Sequence, residues 1–353
     1  GRIGSSAVMA WGSTASGPSA DVWAVQKGKW VALHPAPLPA VGARLLQTPA
    51  GLLRVGGAGL LHSLETSAGR PAWLRAATGW TRLPAPTTLA KSVQRIWPIV
   101  VPVGADQVLV WGGVHDLPAP ATATALSGAL APTPGAARLH LGTGAWTTVK
   151  AAQAAKLPAV RTGAAYCHGA VSGKSVAWVF GVPAAGGAPR LWRVDADAVS
   201  AVELWGGKGG GPTTATGATL LWDATADRLL HIAASSGLEV WTWSLGGKPG
   251  AGAWVKLLAD VGTASGAVVV LGDLTIGDPL IAILPKDSGA KPAFRRLQLT
   301  PTPALSAVGL TPPTWRAPAQ SVWTPVGAAV VPGPTDSGLP IPGTLVWPRT
   351  CKP

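Results

Sequence analysis

The sequence has few charged residues and almost no aromatic residues other than tryptophan. Charged residues make up 12% of the 353-residue chain, and one tyrosine and two phenylalanines accompany 18 tryptophans. Hydrophobic residues reach 47%, which provides a large core and excludes a disordered chain. No long apolar run exists either, since the most apolar stretch, 266–284, is broken by Asp273, Asp278 and Pro279. We therefore expect no transmembrane segment.

Cysteine is also scarce. The two cysteines, Cys167 and Cys351, do not form a CxxC pair, so they give no sign of a zinc site or of dithiol redox chemistry. They either form one disulfide or remain free thiols. Low charge, tryptophan-rich short segments and few cysteines favour an exported protein, in the periplasm, at the cell surface or outside the cell. A cytoplasmic location stays open.

Sequence motifs for catalysis are missing. There is no GxSxG nucleophile elbow and no HExxH pair, and the glycine-rich stretch 205–211 lacks the Ser or Thr that follows lysine in a phosphate-binding loop. We expect no catalytic residue, no cofactor and no metal ligand. These absences favour a non-catalytic protein over an enzyme.

Glycine and proline are abundant and evenly distributed. The chain has 46 glycines and 34 prolines, which punctuate short apolar runs instead of clustering. Short apolar runs between turn-forming residues are typical of an all-β protein. We expect no substantial helical subdomain.

Internal repeats are visible in the first half of the chain. Trp23 and Trp30 are separated by six residues, as are Trp73 and Trp80, and the third copy has Leu139 and Trp146. Apolar runs that end in double glycine precede two of these pairs: Leu52-Leu53-Arg54-Val55-Gly56-Gly57 and Val108-Leu109-Val110-Trp111-Gly112-Gly113. Such self-similarity indicates a repeat architecture.

An apolar strand, a double glycine and two aromatic residues at this spacing resemble the kelch repeat. The resemblance is clearest over residues 6–150 and implies a β-propeller with blades of four antiparallel strands around a central channel. Residues 1–353 would form this single domain, with repeats at approximately 6–34, 43–84, 97–150, 162–205, 217–258, 266–310 and 320–348. Seven blades are favoured and six are the alternative. A barrel or two stacked sandwiches are the other folds compatible with many short strands.

The two ends of the chain are expected to close the ring. Residues 6–33 and 320–347 each supply three strands, and an open propeller would expose two sheet edges. We therefore predict strand pairing between these two segments.

The triplet Tyr166-Cys167-His168 combines the only tyrosine with a cysteine. One kelch-type copper radical oxidase uses a tyrosine crosslinked to cysteine, but its metal set needs a second tyrosine, which this chain lacks. We interpret 164–169 as an innermost strand that packs near the channel.

Charge gives the clearest functional signal. The net charge is +13, and the segment between Val22 and Ala105 contains nine basic residues and a single acidic residue, Glu65. We name this region the basic sector and predict that it binds a partner through Arg44, Arg54, Arg70, Arg75, Arg82, Lys91 and Arg95. The partner would be an acidic protein, a glycan or a lipid headgroup. The absence of lysine-arginine runs argues against nucleic acid.

These observations predict a non-catalytic propeller that serves as a binding or structural subunit of an exported assembly. A mean hydropathy of +0.31 implies apolar surface that other protein subunits cover. The alternative function is a carbohydrate-binding or carbohydrate-modifying kelch-type propeller, acting at the channel mouth. In that case tryptophans would stack on sugar rings, and an arginine such as Arg161 or Arg193 would bind an acidic sugar.

Overall fold

The computed structural model shows a chain built almost entirely from short β-strands. It describes residues 7–14, 17–26, 29–33, 40–41, 44–56, 58–59, 72–76, 79–84, 95, 97–115, 131–246, 252–260, 266–271, 280–285, 293–299, 302–307, 320–324, 327–331 and 346–348. Within these residues the only helix is α1 (Ala151–Ala154), a single turn. No helix in the described residues is long and apolar enough to span a membrane. The expectation of an all-β protein is confirmed.

The strands follow one another at short intervals along the chain. In chain order they are β1 (Ala7–Thr14), β2 (Gly17–Gln26), β3 (Lys29–Leu33), β4 (Ala40–Val41), β5 (Arg44–Thr48), β6 (Gly51–Val55), β7 (Ala58–Gly59), β8 (Trp73–Ala76), β9 (Gly79–Arg82), β10 (Ile99–Val103), β11 (Gln107–Trp111), β12 (Ala136–His140), β13 (Trp146–Thr148), β14 (Ala165–Val171), β15 (Lys174–Gly181), β16 (Arg190–Asp195), β17 (Ser200–Trp205), β18 (Thr219–Asp223), β19 (Arg228–Ala234), β20 (Leu238–Ser244), β21 (Trp254–Asp260), β22 (Gly266–Leu271), β23 (Leu280–Pro285), β24 (Ala293–Gln298), β25 (Ala304–Ala307), β26 (Gln320–Thr324), β27 (Gly327–Val331) and β28 (Val346–Pro348).

Neighbouring strands pair in antiparallel fashion into small sheets. The first sheet is β1-β2-β3 and the seventh is β26-β27-β28. Between them lie four-stranded units: the second sheet (β5-β6-β8-β9), the third (β10 to β13), the fourth (β14 to β17), the fifth (β18 to β21) and the sixth (β22 to β25). One residue pair, Ala234 and Gly266, joins the fifth sheet to the sixth. The short strands β4 and β7 pair with each other alone.

The fourth sheet is buried on both faces because it packs between the third and the fifth sheets. In β15 alternate residues point to opposite faces. Ala177 and Val179 join the core between the third and fourth sheets, whereas Val176, Trp178 and Phe180 join the core between the fourth and fifth. Burial falls at the last strand of the sheet, where Val202 of β17 is 53% exposed. The pattern is that of blades whose inner strands are enclosed and whose outer strands meet solvent.

Aromatic side chains fill the space between the fourth and fifth sheets. The Phe180 ring lies 4.4 Å from the His231 ring, 5.7 Å from Trp254 and 6.0 Å from Trp205, measured between centroids. Trp222 packs so closely over Gly169 that any side chain at that position would collide with its ring. Large flat side chains and small residues thus interlock across the gap between sheets.

The first strands of successive sheets contact one another around an axis. Contacts run from β5 to β10, β14, β18, β22 and β26, and β26 in turn lies against β5. The first sheet lies outside this cycle, with β1 packed against β27 and β28. In the described strands the first and seventh sheets are not hydrogen-bonded to each other, so the predicted strand pairing is not formed there. The number of blades stays a prediction: the first sheet either forms a seventh blade or shares one blade with the seventh sheet in a six-bladed ring.

Candidate functional site

Three first strands bring their starting residues together at one end of the molecule. Arg44 opens β5, Pro98 immediately precedes β10, and Tyr166 is the second residue of β14. The Arg44 Nε donates a hydrogen bond to the Pro98 carbonyl oxygen at 3.0 Å. The Arg44 guanidinium carbon also lies 5.3 Å from the centre of the Tyr166 ring, within cation–π range. We call this group the channel-mouth cluster: Arg44, Pro98 and Tyr166.

Register explains why Arg44 faces its neighbours. Arg44 pairs with Val55 across the second sheet, and Val55 belongs to the core between the second and third sheets. Directly paired residues share a face of the sheet, so Arg44 also points toward the third sheet. Its side chain is half-buried, with its stem against protein and its charged group at the start of β10.

Tyr166 is neutral in this environment. Burial raises the pKa of its phenol, and this effect outweighs the Arg44 charge and a hydrogen bond from the Val100 backbone, which both lower the pKa. The phenol therefore keeps its own proton and can donate it to a further acceptor.

Arg95 is buried at the same end of the sheets. Val55, the partner of Arg44, is followed by Gly56, whose φ of +70° and close approach to the Arg95 carbonyl leave no room for a side chain. The Arg95 guanidinium is 0% exposed and donates to four carbonyl oxygens, those of Gly112, Thr133, Pro134 and Gly135, at 2.7–2.9 Å.

Arg95 acts on the connection between β11 and β12. Its carbonyl partners lie at the beginning and the end of that connection, so one side chain fixes both ends. Burial lowers the Arg95 pKa to about 10, which still leaves the guanidinium protonated at neutral pH. Its donors are committed to backbone oxygens, and its role is structural.

The basic sector is only partly gathered by the fold. Arg44 pairs with Val55, and the Arg95 carbonyl approaches Gly56, the residue that follows Val55. Arg54 is 1% exposed within the second sheet, and Arg82 is exposed at the end of β9. Arg75 lies on β8, and Arg70 and Lys91 fall outside the described residues. Two of the predicted contact residues are thus enclosed in protein, and partner binding by the sector stays a prediction.

The other residues that the sequence singled out lie apart from this cluster. Arg193 is half-buried on β16, the third strand of its sheet, paired with Trp178. Arg161 precedes β14, and its backbone N–H bonds to the Val182 carbonyl. Cys167 is a free thiol whose pKa is raised by burial, whereas Cys351 lies outside the described residues. Among the described residues no group of three or more His, Cys, Asp or Glu side chains could hold a metal ion.

Tyr166 is the functional candidate that the sequence did not indicate as a partner of arginine. The sequence placed it on an inner strand, and the structure agrees, since β14 covers 165–171. Its contact with Arg44 spans 122 positions of the chain and two sheet boundaries. No local spacing encodes such a contact.

Trp97 lies beside the channel-mouth cluster in an unusual backbone conformation. It is half-buried between Arg95 and Pro98 and has a φ of +53°, in the left-handed region that bulky residues rarely adopt. Conformations of this kind cost about 1–3 kcal/mol and concentrate at binding sites. Trp97 is therefore a further candidate for ligand contact.

Comparisons with known proteins identify a fold and no family. No protein-family model matches the sequence, and no curated protein matches it. Solved structures do match, and the structure of YjhT, a β-propeller, aligns over 88% of this chain and 95% of its own with a TM-score of 0.57 and 13% sequence identity. At that identity the likeness concerns the fold alone. Together with the antiparallel four-stranded sheets, it shows that this chain folds as a β-propeller.

Proposed function

We propose that this protein is a non-catalytic propeller that binds an anionic partner, as a subunit of an exported assembly. The observation that carries the proposal is the Arg44 guanidinium, half-buried at the channel-mouth cluster with only its Nε bonded to protein within the described residues. A positive charge that is held in place and has hydrogen-bond donors not bonded to the described residues is suited to binding an anion.

The distribution of carboxylates supports this proposal. Among the described residues the ion pairs of arginine and lysine lie in the fourth to sixth sheets: Lys174–Asp195, Arg190–Glu203, Arg228–Asp223, Lys256–Glu239 and Arg295–Asp260. The basic sector carries a net charge of +8 and Glu65 as its one carboxylate. One carboxylate for nine basic residues favours a partner that carries negative charge.

We also propose that the repeats are of the kelch type. The double glycines at 56–57 and 112–113 follow the second strands of two consecutive sheets, β6 and β11. The paired aromatic positions 73 and 80 fall on the third and fourth strands of the second sheet, and 139 and 146 fall on those of the third sheet. The motif thus occupies equivalent positions in two blades.

Binding of poly-glutamate to the immobilised full-length protein tests the anionic partner. We expect salt-dependent binding that Arg82→Glu weakens about threefold to tenfold, because this exposed charge lies in the basic sector. The matched control is Lys208→Glu, the same charge change at an exposed position after the fourth sheet, which should have a smaller effect. Equal effects of both variants, or no binding at all, would contradict the proposal.

Trp97 favours the second candidate function, a carbohydrate site at the channel mouth. Trp97 is half-buried and directly precedes Pro98 of the channel-mouth cluster, so its indole could stack on a sugar ring bound there. In contrast, Trp111, Trp178, Trp243 and Trp254 are buried between sheets and cannot serve this purpose. A glycan array probed with wild-type protein and with Trp97→Leu separates the two functions, since only the carbohydrate function predicts binding of neutral sugars that the substitution removes.

A further inference from the structure

We propose that Arg44 and Tyr166 form a binding site for a single carboxylate group at the start of the first strands. This inference deepens the proposed function and rests on it, because it names the atoms that receive the anion and the chemical class of the anion. The argument depends on which donors remain available, on how rigidly they are held and on how much charge they carry.

The Arg44 guanidinium is oriented in advance. Its Nε bond to the Pro98 carbonyl fixes one edge, and the Tyr166 ring supports its face. Within the described residues the two terminal nitrogens, Nη1 and Nη2, donate to no protein acceptor. These nitrogens present the parallel N–H groups that match the two oxygens of a carboxylate. Because the side chain is already held, little conformational entropy is lost when the anion binds.

Tyr166 supplies the third donor. Its ring centre lies 5.3 Å from the Arg44 guanidinium carbon, and its hydroxyl group can rotate to donate its proton to an acceptor bound beside that guanidinium. Burial keeps this proton on the phenol at neutral pH, since it raises the phenol pKa. The site therefore combines one positive charge with one neutral donor.

The charge of the site favours a carboxylate over a phosphate group. A phosphate monoester carries about two negative charges at neutral pH and usually meets more than one cation. Arg95, at the same end of the sheets, has both terminal nitrogens bonded to backbone carbonyls, those of Gly112, Thr133, Pro134 and Gly135. One guanidinium and one phenol match the single charge and two oxygens of a carboxylate.

The single tyrosine of the chain makes the site directly observable. Protein labelled with ¹³C at the tyrosine Cζ gives one tyrosine signal, that of Tyr166. Titration with acetate at constant ionic strength should shift this signal saturably, with a dissociation constant on the order of millimolar. Absence of a saturable shift would overturn the proposal. So would tighter binding of inorganic phosphate than of acetate.

Variants distinguish hydrogen bonding by the paired Nη1 and Nη2 groups of Arg44, the fork, from a general effect of positive charge. Arg44→Gln should weaken acetate binding about tenfold to a hundredfold, and Arg44→Lys should also weaken it, because lysine keeps the charge without the fork. Arg296→Gln, the same substitution at an exposed position of β24 outside the basic sector, is the matched control and should bind acetate like wild type. Wild-type affinity in Arg44→Lys, or equal losses in Arg44→Gln and Arg296→Gln, would contradict the assignment.

Tyr166→Phe tests the phenol donor while preserving the ring under Arg44. Binding is then followed through ¹³C-labelled acetate, and a loss of about tenfold is expected. Unchanged affinity would remove Tyr166 from the site. Unchanged circular dichroism and tryptophan emission in each variant establish that the fold is retained.

The source of the carboxylate is distinguished by competition against acetate. A glutamate-containing peptide that competes better than glucuronate indicates an acidic protein partner, and the reverse order indicates a glycan. Failure of both to compete would overturn the site. If the protein binds poly-glutamate but the Tyr166 signal does not respond to acetate, only this inference is overturned. If the signal responds to acetate but the protein does not bind poly-glutamate, the proposed polyanionic partner is overturned and the carboxylate site stands.

Discussion

His231 is an ionisable side chain in an aromatic environment. It is 0% exposed, on β19, with the Phe180 and Trp254 rings 4.4 Å and 6.0 Å away. Burial lowers its pKa from 6.5 to about 4, even though the Thr214 backbone and Glu239 act in the opposite direction. The imidazole is therefore neutral in the folded protein at physiological pH.

We expect the free energy of unfolding to decrease as the pH falls from about 6.5 to about 4. In this window the unfolded chain binds the His231 proton and the folded chain does not, so the stability present above pH 6.5 is lost by roughly 3 kcal/mol at most. His168, whose pKa burial also lowers to about 4, adds to the loss. Urea unfolding across this range measures it.

The variant His231→Leu isolates the contribution of this histidine. It should show a weaker dependence of unfolding free energy on pH, whereas its difference from wild type at about pH 8 reports packing alone. If the variant and the wild type lose the same stability on acidification, His231 does not carry the effect.

The sequence could not reveal which charges of the basic sector are enclosed. Arg54, Arg82 and Arg95 look alike in the sequence, yet two are buried and one is exposed. Arg95 is enclosed because carbonyls that are 17 to 40 positions away along the chain converge on it. The Arg44–Tyr166 contact could not be predicted from the sequence for the same reason, because it depends on how three sheets are placed around the axis.

Individual strands were much easier to predict than their contacts. Alternating apolar residues between turn-forming glycines report directly on a local property, the pleat of a strand. The innermost strand predicted at 164–169 is observed as β14, Ala165–Val171. It continues to Val171 because the turn comes at Ser172 and Gly173, whose φ values of 52° and 77° end the extended backbone.

Gly169 of β14 tests the fit between neighbouring sheets. Gly169→Ala should destabilise the protein by about 1–3 kcal/mol, because the added methyl collides with the Trp222 ring. Gly142→Ala is the control, since a methyl there meets only ordinary contacts with His140. Thermal unfolding measures the melting temperatures of both variants, and that of Gly169→Ala should be the lower. Equal melting temperatures would show that the sheets separate more easily than the structure implies.

Arg138 of β12 links the third sheet to the fourth. Its Nη2 donates to the Ala196 and Asp197 carbonyls at 3.0 and 2.7 Å, and its Nη1 donates to the Gln107 side chain at 3.3 Å. We expect Arg138→Met to lower the unfolding free energy by about 1–3 kcal/mol, since carbonyls lose a charged donor. Lys174→Met removes a 4.0 Å pair between an exposed lysine and Asp195 and should cost less than about 1 kcal/mol. Equal losses would contradict an inter-sheet role for Arg138.

At the scale of the whole molecule, the contact between β26 and β5 closes the cycle of first strands. β5 is the fifth strand of the described chain and β26 the third from its end. Removal of the seventh sheet would therefore expose the inner strands of both the second and the sixth sheets, since β26 also lies against β22. Exposed apolar faces and free strand edges promote association.

Deletion of residues 320–353 tests this arrangement. We expect the shortened protein to aggregate or to elute as large oligomers in size-exclusion chromatography, because two sheets lose their neighbour. Deletion of residues 349–353 alone keeps every described strand and should leave a soluble protein. A soluble monomer after the longer deletion would show that the ring does not depend on the seventh sheet.

The order of pairing has a kinetic consequence. Each four-stranded sheet is made from strands that are consecutive or nearly so in the chain, so almost every backbone ladder can form as its segment leaves the ribosome. Contact between β5 and β26, in contrast, has to await the synthesis of β26, about 270 residues after β5. Until then a growing row of sheets carries one uncovered apolar face at each end, and this species is the one that chaperones would need to protect.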